Sequence, residues 1–280
     1  MTSFKFNFTG VSDGSQDKDD EEIEWFGSEE IVPNNQLKDL KDLVTQAKMF
    51  ICGDVEIGHV LISNMLTFMK ENGVKNALDL AEKEHSDLIT GKYEGGLKIW
   101  ECTYDLVDYL EENKETIEFK NKKVLDLGCG AGILGIYALV KGALVTFQDY
   151  NKEIIEYSTI PNVLLNMEEE QIDQETKSSK FYSGDWVSFD QLLEESEKFD
   201  IILTSETLYN VKNYDKLIAL FQHRLKDEGI IFIAAKTYYF GVGGGMRQFE
   251  TAIKDTCFKS EIVWKTSNGI QREILKIKKS

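Results

Sequence analysis

Cysteine and histidine are scarce in this sequence of 280 residues. The four cysteines, Cys52, Cys102, Cys129 and Cys257, include no CxxC pair, and with only three histidines they do not give the spacing of a metal site. Unpaired cysteines of this kind are typical of a reducing compartment. The sequence therefore predicts a protein without structural zinc or any other bound metal.

Long apolar runs are absent as well. No stretch reaches the roughly 18 consecutive apolar residues that a membrane-spanning helix needs. Residues 1–10 lack the basic start and the apolar stretch of a secretory signal, so we expect a cytoplasmic and nuclear protein that does not bind a membrane. The 42% of hydrophobic residues still suffices for one sizeable core, which excludes disorder throughout, a collagen-like repeat and a coiled-coil rod.

Basic residues are outnumbered by acidic ones. Lysine and arginine total 32 against 49 aspartates and glutamates, which gives a formal net charge of −17. Phosphate affinity comes mainly from lysine and arginine, so this charge argues against direct binding of DNA or RNA. An acidic surface instead favours a basic protein partner through long-range attraction.

The first part of the chain carries much of the acidity. Residues 11–30 contain nine aspartates and glutamates against the single basic Lys18, so we predict that residues 1–35 form an acidic, flexible tail. A solvated tail does not need aromatic residues, yet Trp25 and Phe26 lie in it. We interpret this part as an extra strand or loop laid on the core, with a partner-docking motif as the alternative.

Residues 36–113 have a helical pattern. Apolar residues recur at three- and four-residue spacing, for example at Leu37, Leu40, Val44 and Ala47. We therefore predict a helical N-terminal extension over residues 36–113, interrupted by a loop at residues 92–96.

Residues 114–280 follow a different pattern, in which short β-branched and aliphatic runs alternate with segments of helix length. Such alternation predicts an α/β fold, with helices on both faces of a mostly parallel sheet. A hairpin-like turn joins the last two runs and makes the C-terminal pair antiparallel. Seven strands are predicted, at Val124 to Leu127, Leu144 to Gln148, Lys180 to Ser183, Phe199 to Ser205, Ile230 to Lys236, Glu261 to Lys265 and Glu273 to Ile277.

A glycine-rich turn follows the first of these strands, where residues 124–132 read VLDLGCGAG. Glycines let the backbone approach a ligand closely, and the following helix presents free N–H groups. One acid, Asp126, precedes the glycines, and a second, Asp149, ends the next strand, where it is placed to bind both hydroxyls of a ribose. The pattern favours a nucleotide-type cofactor site. A tight packed turn and, for Asp149, a helix N-cap are the alternatives.

The acid-x-Gly-x-Gly-x-Gly form of this turn resembles the first motif of the class I S-adenosylmethionine methyltransferases more than the fingerprint of dinucleotide dehydrogenases. The resemblance implies a seven-stranded, Rossmann-like methyltransferase sheet, with the loop against the methionine portion of the cofactor and Asp149 on its ribose. By position, Asp185 and Trp186 after the third strand are expected to contact the adenine. Trp186 is equally well explained as a core aromatic residue at the sheet edge.

The fourth strand ends next to Glu206, and Tyr209 follows three residues later. Enzymes that methylate nucleobases carry an Asn/Asp-Pro-Pro-aromatic motif at this place, which this chain lacks. Glu206 and Tyr209 form an acid-x-x-Tyr element that resembles the signature of the protein methyltransferases of family 16. The resemblance implies that both residues are catalytic and that Glu206 faces the acceptor. A helix cap for Glu206 and a packed core ring for Tyr209 are the alternatives.

An upstream string narrows the resemblance. Residues 95–106 read GGLKIWECTYDL and residues 238–245 read YYFGVGGG, and together with the acid-x-x-Tyr element they resemble the eukaryotic histidine protein methyltransferases. The resemblance implies S-adenosyl-L-methionine as cofactor, a pocket to which residues 36–113 contribute, and a histidine acceptor in a large-subunit ribosomal protein. The implied cofactor-binding residues are Ile99, Trp100, Glu101, Cys102, Thr103, Asp126, Gly128, Gly130, Gln148, Asp149, Tyr150, Gly184, Asp185, Trp186 and Ser205.

Our hypothesis for the chemistry is that Glu206, aided by Tyr209, accepts a hydrogen bond from the non-reacting ring nitrogen of the histidine. A protein-lysine methyltransferase of the same fold and a non-catalytic cofactor-binding module are the alternatives. The module is disfavoured because it does not need a carboxylate on the acceptor side. We further expect a monomer.

Overall fold

The structure of the chain, a computed structural model, describes residues 25–33, 47–71, 88–167 and 179–280. The strands in these ranges are β1 (Glu29–Glu30), β2 (Lys48–Cys52), β3 (Val55–His59), β4 (Lys123–Leu127), β5 (Leu144–Asp149), β6 (Lys180–Ser183), β7 (Phe199–Ser205), β8 (Leu225–Lys236), β9 (Phe258–Lys265) and β10 (Arg272–Lys279).

The helices in the same ranges lie mostly between these strands. They are α1 (Ile62–Glu71), α2 (Glu101–Glu112), α3 (Ile133–Val140), α4 (Lys152–Ile154, a π-helical turn Ile155–Thr159, and Ile160–Leu165), α5 (Trp186–Leu192), α6 (Tyr214–Arg224) and α7 (Met246–Ile253). None of the helices in the described ranges is long and apolar enough to cross a bilayer.

Within these ranges, eight strands form one sheet in the order β1-β6-β5-β4-β7-β8-β10-β9. The strands β4 to β8 run parallel to one another, and β10 pairs antiparallel with both β8 and β9. The predicted α/β fold, a mostly parallel sheet with an antiparallel C-terminal pair and flanking helices, is confirmed. The strand β1, which pairs antiparallel with β6, adds an eighth strand to the predicted seven.

Alternate residues along the central strands enter two different cores. In β4, Val124 packs into a core that includes residues of α2 and α3, whereas Leu125 packs into a core that includes residues of α5, α6 and α7. A strand buried on both faces needs a continuous apolar run, which explains the aliphatic segments of the sequence. Because β4 to β8 are parallel, their carboxyl ends meet along one edge of the sheet, where a doubly wound fold binds its ligand.

The prediction of a helical extension over residues 36–113 is wrong for β2 and β3, which form an antiparallel hairpin. Phe50 and Ile57 are buried in it, while Met49 and Ile51 are exposed. This alternation has the period of two of a half-buried strand, and the helical spacing on either side concealed it. The apolar spacing before the hairpin lies almost entirely outside the described residues.

The prediction of a flexible tail over residues 1–35 does not hold for residues 25–33. Residues 25–33 lie on the core, where β1 extends the sheet and the ring of Phe26 stacks on Tyr150 with centroids 5.0 Å apart. Gly184 permits this close approach, because a Cβ there would lie 2.5 Å from the carbonyl oxygen of Gly27. The interpretation as an extra strand on the core is confirmed, and residues 1–24 lie outside the described ranges.

Candidate active site

The glycine turn lies between β4 and α3. Gly128, Gly130 and Gly132 have positive φ angles of 66°, 52° and 77°, which favour glycine. A Cβ on Gly128 would lie 2.7 Å from the Thr207 methyl carbon, and a Cβ on Gly130 would lie 3.0 Å from the carbonyl oxygen of Gly96. Any side chain at these two positions would occupy the space between the turn and its neighbours, so the turn is a backbone cradle.

Asp149 is the last residue of β5 and reaches this turn. Its Oδ2 accepts a hydrogen bond of 2.8 Å from the backbone N–H of Gly130, and its Oδ1 accepts one of 3.2 Å from the N–H of Asn151. Burial raises the pKa of this carboxyl to about 6, against the opposing effect of the backbone hydrogen bonds. The turn and the second acid are therefore held together, as the sequence pattern predicts.

Asp126 lies behind the turn rather than on the cavity wall. Its Oδ2 accepts a hydrogen bond of 2.8 Å from the N–H of Gly135 in α3, and the residue is only 1% exposed. Burial raises the pKa of Asp126 to about 8. Its position indicates that it fixes the turn against α3, and it does not line the cavity. A direct contact of Asp126 with the cofactor stays a prediction.

The end of β6 and the start of α5 form the next part of the site. Asp185 caps α5 by accepting a hydrogen bond of 2.9 Å from the N–H of Val187, and its other oxygen lies 2.6 Å from Nζ of Lys216. The indole N–H of Trp186 donates to Oε1 of Gln148 over 3.1 Å. Both Asp185 oxygens are thus already engaged, so an adenine amino group would share Asp185 with these donors.

Gln148 supports this region from behind. It is fully buried, and its Nε2 donates a hydrogen bond of 2.7 Å to the carbonyl oxygen of Gly184. Its Oε1 accepts the indole N–H of Trp186, so both ends of the amide are engaged behind the cavity wall. Gln148 therefore supports Gly184 and Trp186, and its direct contact with the cofactor stays a prediction.

Trp25 is a wall residue that the motif analysis did not assign. Its ring lies edge-on to Tyr150 with centroids 5.8 Å apart, and Nζ of Lys216 lies 3.6 Å from its centroid. In the sequence, the role of Trp25 is indicated only by the aromatic pair Trp25 and Phe26, which a solvated acidic tail does not need. The packing of residues 25–33 on the core brings Trp25 to the site.

The segment that leads into α2 forms the opposite wall. Ile99, Trp100 and Thr103 line the cavity, and the Thr103 hydroxyl is hydrogen-bonded to that of Ser205 at 2.9 Å. The two remaining residues of the predicted string point elsewhere: Cys102 is fully buried, and Glu101 lies near Nζ of a lysine in β8. The string therefore faces the cavity only in part, because it runs into the first turn of α2, where successive side chains point in different directions.

Glu206 follows β7 in a backbone conformation that is rare for a residue with a side chain. Its φ angle is 58°, and its N–H donates a hydrogen bond of 2.9 Å to the carbonyl oxygen of Ala234 in β8. Strained backbone of this kind is concentrated at functional sites. The side chain is 7% exposed, and its Oε1 has no hydrogen-bond donor among the described residues, although Nζ of Lys236 lies 3.5 Å away.

Two further side chains contact the Glu206 carboxylate. Burial raises the pKa of the Cys102 thiol and of the Tyr239 hydroxyl, and the negative charge of the nearby Glu206 carboxylate raises both further. Both groups are therefore protonated at neutral pH and lie on one side of Glu206.

Tyr209 lines the cavity but does not bind Glu206. Its hydroxyl donates a short hydrogen bond to Oε2 of Glu94, which also accepts a hydrogen bond of 2.7 Å from the N–H of Gly91 through Oε1. Burial raises the pKa of Glu94, and the Tyr209 hydroxyl lowers it. Glu94 is a second wall residue that the motif analysis did not assign, and it ties the loop before α2 to the acid-x-x-Tyr element.

One cavity collects most of these groups. The glycine turn after β4, Asp149 after β5 and Glu206 after β7 all line it. Of the predicted site residues, the wall includes Ile99, Trp100, Thr103, Gly128, Gly130, Asp149, Tyr150, Gly184, Asp185, Trp186, Ser205, Glu206 and Tyr209, whereas Glu101, Cys102, Asp126 and Gln148 stand behind it.

The fold and this cavity define a class of protein. A sheet of this order, with a glycine turn after its first parallel strand and an acid at the end of the next, is the arrangement expected of a class I S-adenosylmethionine-dependent methyltransferase.

Comparisons with known proteins identify the family within this class. A family model described as lysine methyltransferase matches residues 77–241. The chain is 52% identical over 171 residues to a histidine protein methyltransferase 1 homolog of Dictyostelium discoideum, and the match covers 61% of this chain and 52% of that protein. It is 40% identical over 274 residues to the Bos taurus homolog, which covers 89% of this chain and 71% of that protein.

Solved structures of methyltransferases also match. Magnesium protoporphyrin IX methyltransferase from Synechocystis, solved with its bound cofactor, has a TM-score of 0.47 and 16% identity, over 64% of this chain and 78% of that chain.

This chain belongs to the histidine protein methyltransferases, within the protein methyltransferases of family 16. The resemblance drawn from the motifs is thereby confirmed, and S-adenosyl-L-methionine is the cofactor of the family. The chain spans about half the length of the Dictyostelium relative and 71% of the bovine one.

Proposed function

We propose that this chain transfers a methyl group from S-adenosyl-L-methionine to an imidazole nitrogen of a histidine in a large-subunit ribosomal protein. The observation that carries the proposal is the Glu206 carboxylate on the cavity wall, with an Oε1 that has no hydrogen-bond donor among the described residues. A buried acceptor without a donor costs about 1–3 kcal/mol, which a substrate N–H would recover.

The cavity fits the cofactor. The turn at Gly128 and Gly130 leaves backbone where a Cβ would fill the space, as close approach of a ligand requires. Asp149 and Trp186 stand on the same wall, at the positions that suit a ribose and an adenine ring. When bound, the cofactor supplies an electrophilic methyl group on a sulfonium.

The residues of the chain then have to align the acceptor and exclude water, since methyl transfer is an in-line displacement. A histidine has an unperturbed pKa of about 6.5, so its ring is largely neutral at cytoplasmic pH and needs no strong base. Glu206 is placed to accept the N–H of the non-reacting nitrogen. This hydrogen bond fixes the ring tautomer, stabilises the positive charge as the new N–C bond forms, and offers a route for the N–H proton to leave.

The role proposed for Tyr209 differs from the earlier hypothesis. Its hydroxyl is engaged by Glu94, so we assign it to closing the cavity and not to helping Glu206. Substitution of Tyr209 is therefore expected to act through the loop that carries Glu94.

The net charge of −17 supports a basic substrate such as a ribosomal protein, which we propose is modified in the cytoplasm or the nucleus. We also propose that the chain acts as a monomer, since one chain supplies the glycine turn, Asp149 and Glu206.

The test is direct. Unmodified large-subunit ribosomal proteins, produced in bacteria, are incubated with the chain and labelled S-adenosyl-L-methionine, and the modified residue is located by mass spectrometry. We expect methylhistidine at one position. Methyllysine as the sole product would replace this proposal with a lysine methyltransferase, and the absence of any product together with intact cofactor binding would favour a binding module.

A further inference from the structure

Lys236 is the last residue of β8 and has no part in the function proposed so far. Its side chain is only 6% exposed, and its Nζ lies 3.5 Å from Oε1 of Glu206 and 3.3 Å from Oε2 of Glu101. The first carboxylate lies on the cavity wall, whereas the second is half-exposed at the start of α2. A buried lysine thus stands directly behind the carboxylate that faces the acceptor.

Two aromatic rings enclose the same ammonium group. The Nζ of Lys236 lies 5.4 Å from the ring centroid of Trp100 and 5.6 Å from that of Tyr239. Cys102 completes the surroundings of Glu206. The titratable groups that face this carboxylate are therefore a thiol from α2, a phenol from the loop after β8 and the Lys236 ammonium. Among the groups that contact Glu206 in the described structure, only Lys236 is cationic.

The charge has consequences for Glu206. Removal of one partner of a buried ion pair leaves the other charge uncompensated. Without Lys236, the Glu206 side chain would lose the group that holds it in place behind the cavity wall. The ion pair with Lys236 therefore keeps the acceptor side of the site functional.

The same charge discriminates between acceptors. An unpaired Glu206 carboxylate would attract an incoming lysine ammonium, but Lys236 already pairs with this carboxylate and offsets that attraction. A neutral imidazole does not depend on this attraction. The aromatic faces of Trp100 and Tyr239, which would otherwise suit a cationic acceptor, already lie beside Lys236.

We infer that Lys236 is a positioning residue that pairs with the Glu206 carboxylate and holds it in place, and that it thereby selects a histidine rather than a lysine as methyl acceptor. This inference rests on the proposed function.

The experiment compares three variants with the wild-type chain. Lys236→Met removes the charge at similar length, and Lys236→Arg retains it. The matched control is Lys226→Met, which removes another ion-paired lysine of the same strand, 2.8 Å from Asp200 and outside the cavity. Each protein is given the large-subunit ribosomal proteins produced in bacteria and labelled S-adenosyl-L-methionine at pH 7. Methylhistidine and methyllysine are then quantified after hydrolysis, and cofactor affinity is measured by calorimetry.

We expect Lys236→Met to lower the rate of methylhistidine formation by about 10- to 100-fold at pH 7, with cofactor affinity within about threefold of the wild type. The deficit lies in kcat, because the side chain that faces the acceptor has lost its support while the cofactor side is unchanged. Methyllysine increases relative to methylhistidine. Lys236→Arg restores most of the rate, and Lys226→Met behaves like the wild type.

A purely structural role for Lys236 would give a different result. The inference is overturned if Lys236→Met is no slower than Lys226→Met, if its ratio of methyllysine to methylhistidine equals that of the wild type, or if Lys236→Arg is equally impaired. A wild-type chain that forms no methylhistidine overturns the proposed function before any variant is compared. Normal wild-type activity with an unaffected Lys236→Met overturns the inference alone.

Discussion

The carboxylates on the cofactor side of the cavity, around the glycine turn, differ in their hydrogen bonding from Glu206 on the acceptor side. On the cofactor side, Asp126, Asp149 and Asp185 each accept a backbone N–H within 2.9 Å. On the acceptor side, Glu206 sits in left-handed backbone, and its Oε1 has an ammonium nearby but no hydrogen bond from the described residues. Each carboxylate on the cofactor side already has its backbone donor, whereas Oε1 of Glu206 has no hydrogen-bond donor among the described residues.

This difference suggests how the chain divides its work. Groups that are already satisfied hold a fixed shape into which a cofactor fits, and their loss should weaken binding. A strained residue with an unsatisfied oxygen costs about 1–3 kcal/mol, which is recovered only when the acceptor arrives. Substitutions on the two sides should therefore change different kinetic constants.

The largest expected effect comes from Glu206→Gln, which tests the acceptor side. The amide retains the shape but removes the charge that stabilises the developing positive ring, so we expect kcat to fall by about 100- to 1,000-fold. Cofactor affinity, measured by calorimetry, should stay within about threefold of the wild type. Glu228→Gln, an exposed position in β8, is the matched control and should retain full activity. Equal losses of kcat and cofactor affinity in Glu206→Gln would show that the two sides are not separate.

Asp149→Asn tests the cofactor side. The amide can still accept the N–H of Gly130 but is a weaker acceptor for ribose hydroxyls, so we expect the Kd of the cofactor to rise by about 10- to 100-fold. At saturating cofactor, kcat should be nearly that of the wild type. Asp200→Asn removes a carboxylate at the start of β7, outside the cavity, and should leave the Kd unchanged. A fall in kcat at saturation would assign Asp149 to the chemistry as well.

The two sides also differ in how far the sequence predicts them. The parallel strands follow from aliphatic runs, and parallel strands bring their carboxyl ends to one edge, so Gly128, Asp149 and Glu206 were expected to meet before any coordinates were known. Nothing comparable marks Glu94 or Lys236. Each becomes functional only through a partner that is remote in sequence, and tertiary packing alone brings them together.

Position within a motif was a weaker guide than the motif itself. Glu101 and Cys102 stand between wall residues in the sequence, yet the start of α2 turns them toward β8 and the Glu206 carboxylate. Gln148 precedes Asp149, but the alternation of a strand sends it behind the wall. A linear motif therefore identifies the segment, and the local period of the backbone decides which of its residues reach the ligand.

Tyr209→Phe asks whether the loop before α2 belongs to the cofactor side. Loss of the Tyr209 hydroxyl removes the hydrogen bond to Glu94, so the loop that carries Glu94 is held less tightly over the cavity. We expect the Kd of the cofactor to rise by roughly 10-fold, which corresponds to about 1.4 kcal/mol, with a smaller effect on kcat. Tyr238→Phe, in the exposed part of the loop after β8, should change neither constant. A selective loss of kcat would instead place Tyr209 with the acceptor, as the motif alone implied.

The smallest effect on cofactor binding and turnover is expected behind the cofactor side, from Asp126→Asn, which tests stability instead. Burial raises the pKa of Asp126 from 3.8 to about 8, so between these values the folded chain retains a proton that the unfolded chain has lost. The contribution of this carboxyl to stability is therefore full below pH 4 and declines as the pH rises toward 8. An asparagine does not titrate, so the free energy of unfolding of Asp126→Asn, relative to wild type, should increase by about 1 kcal/mol per pH unit between pH 5 and 8 and then level off. Urea titrations at several pH values measure this difference. A difference that is constant with pH would mean that Asp126 is ionised in the folded chain and that the hydrogen bond from Gly135 outweighs its burial.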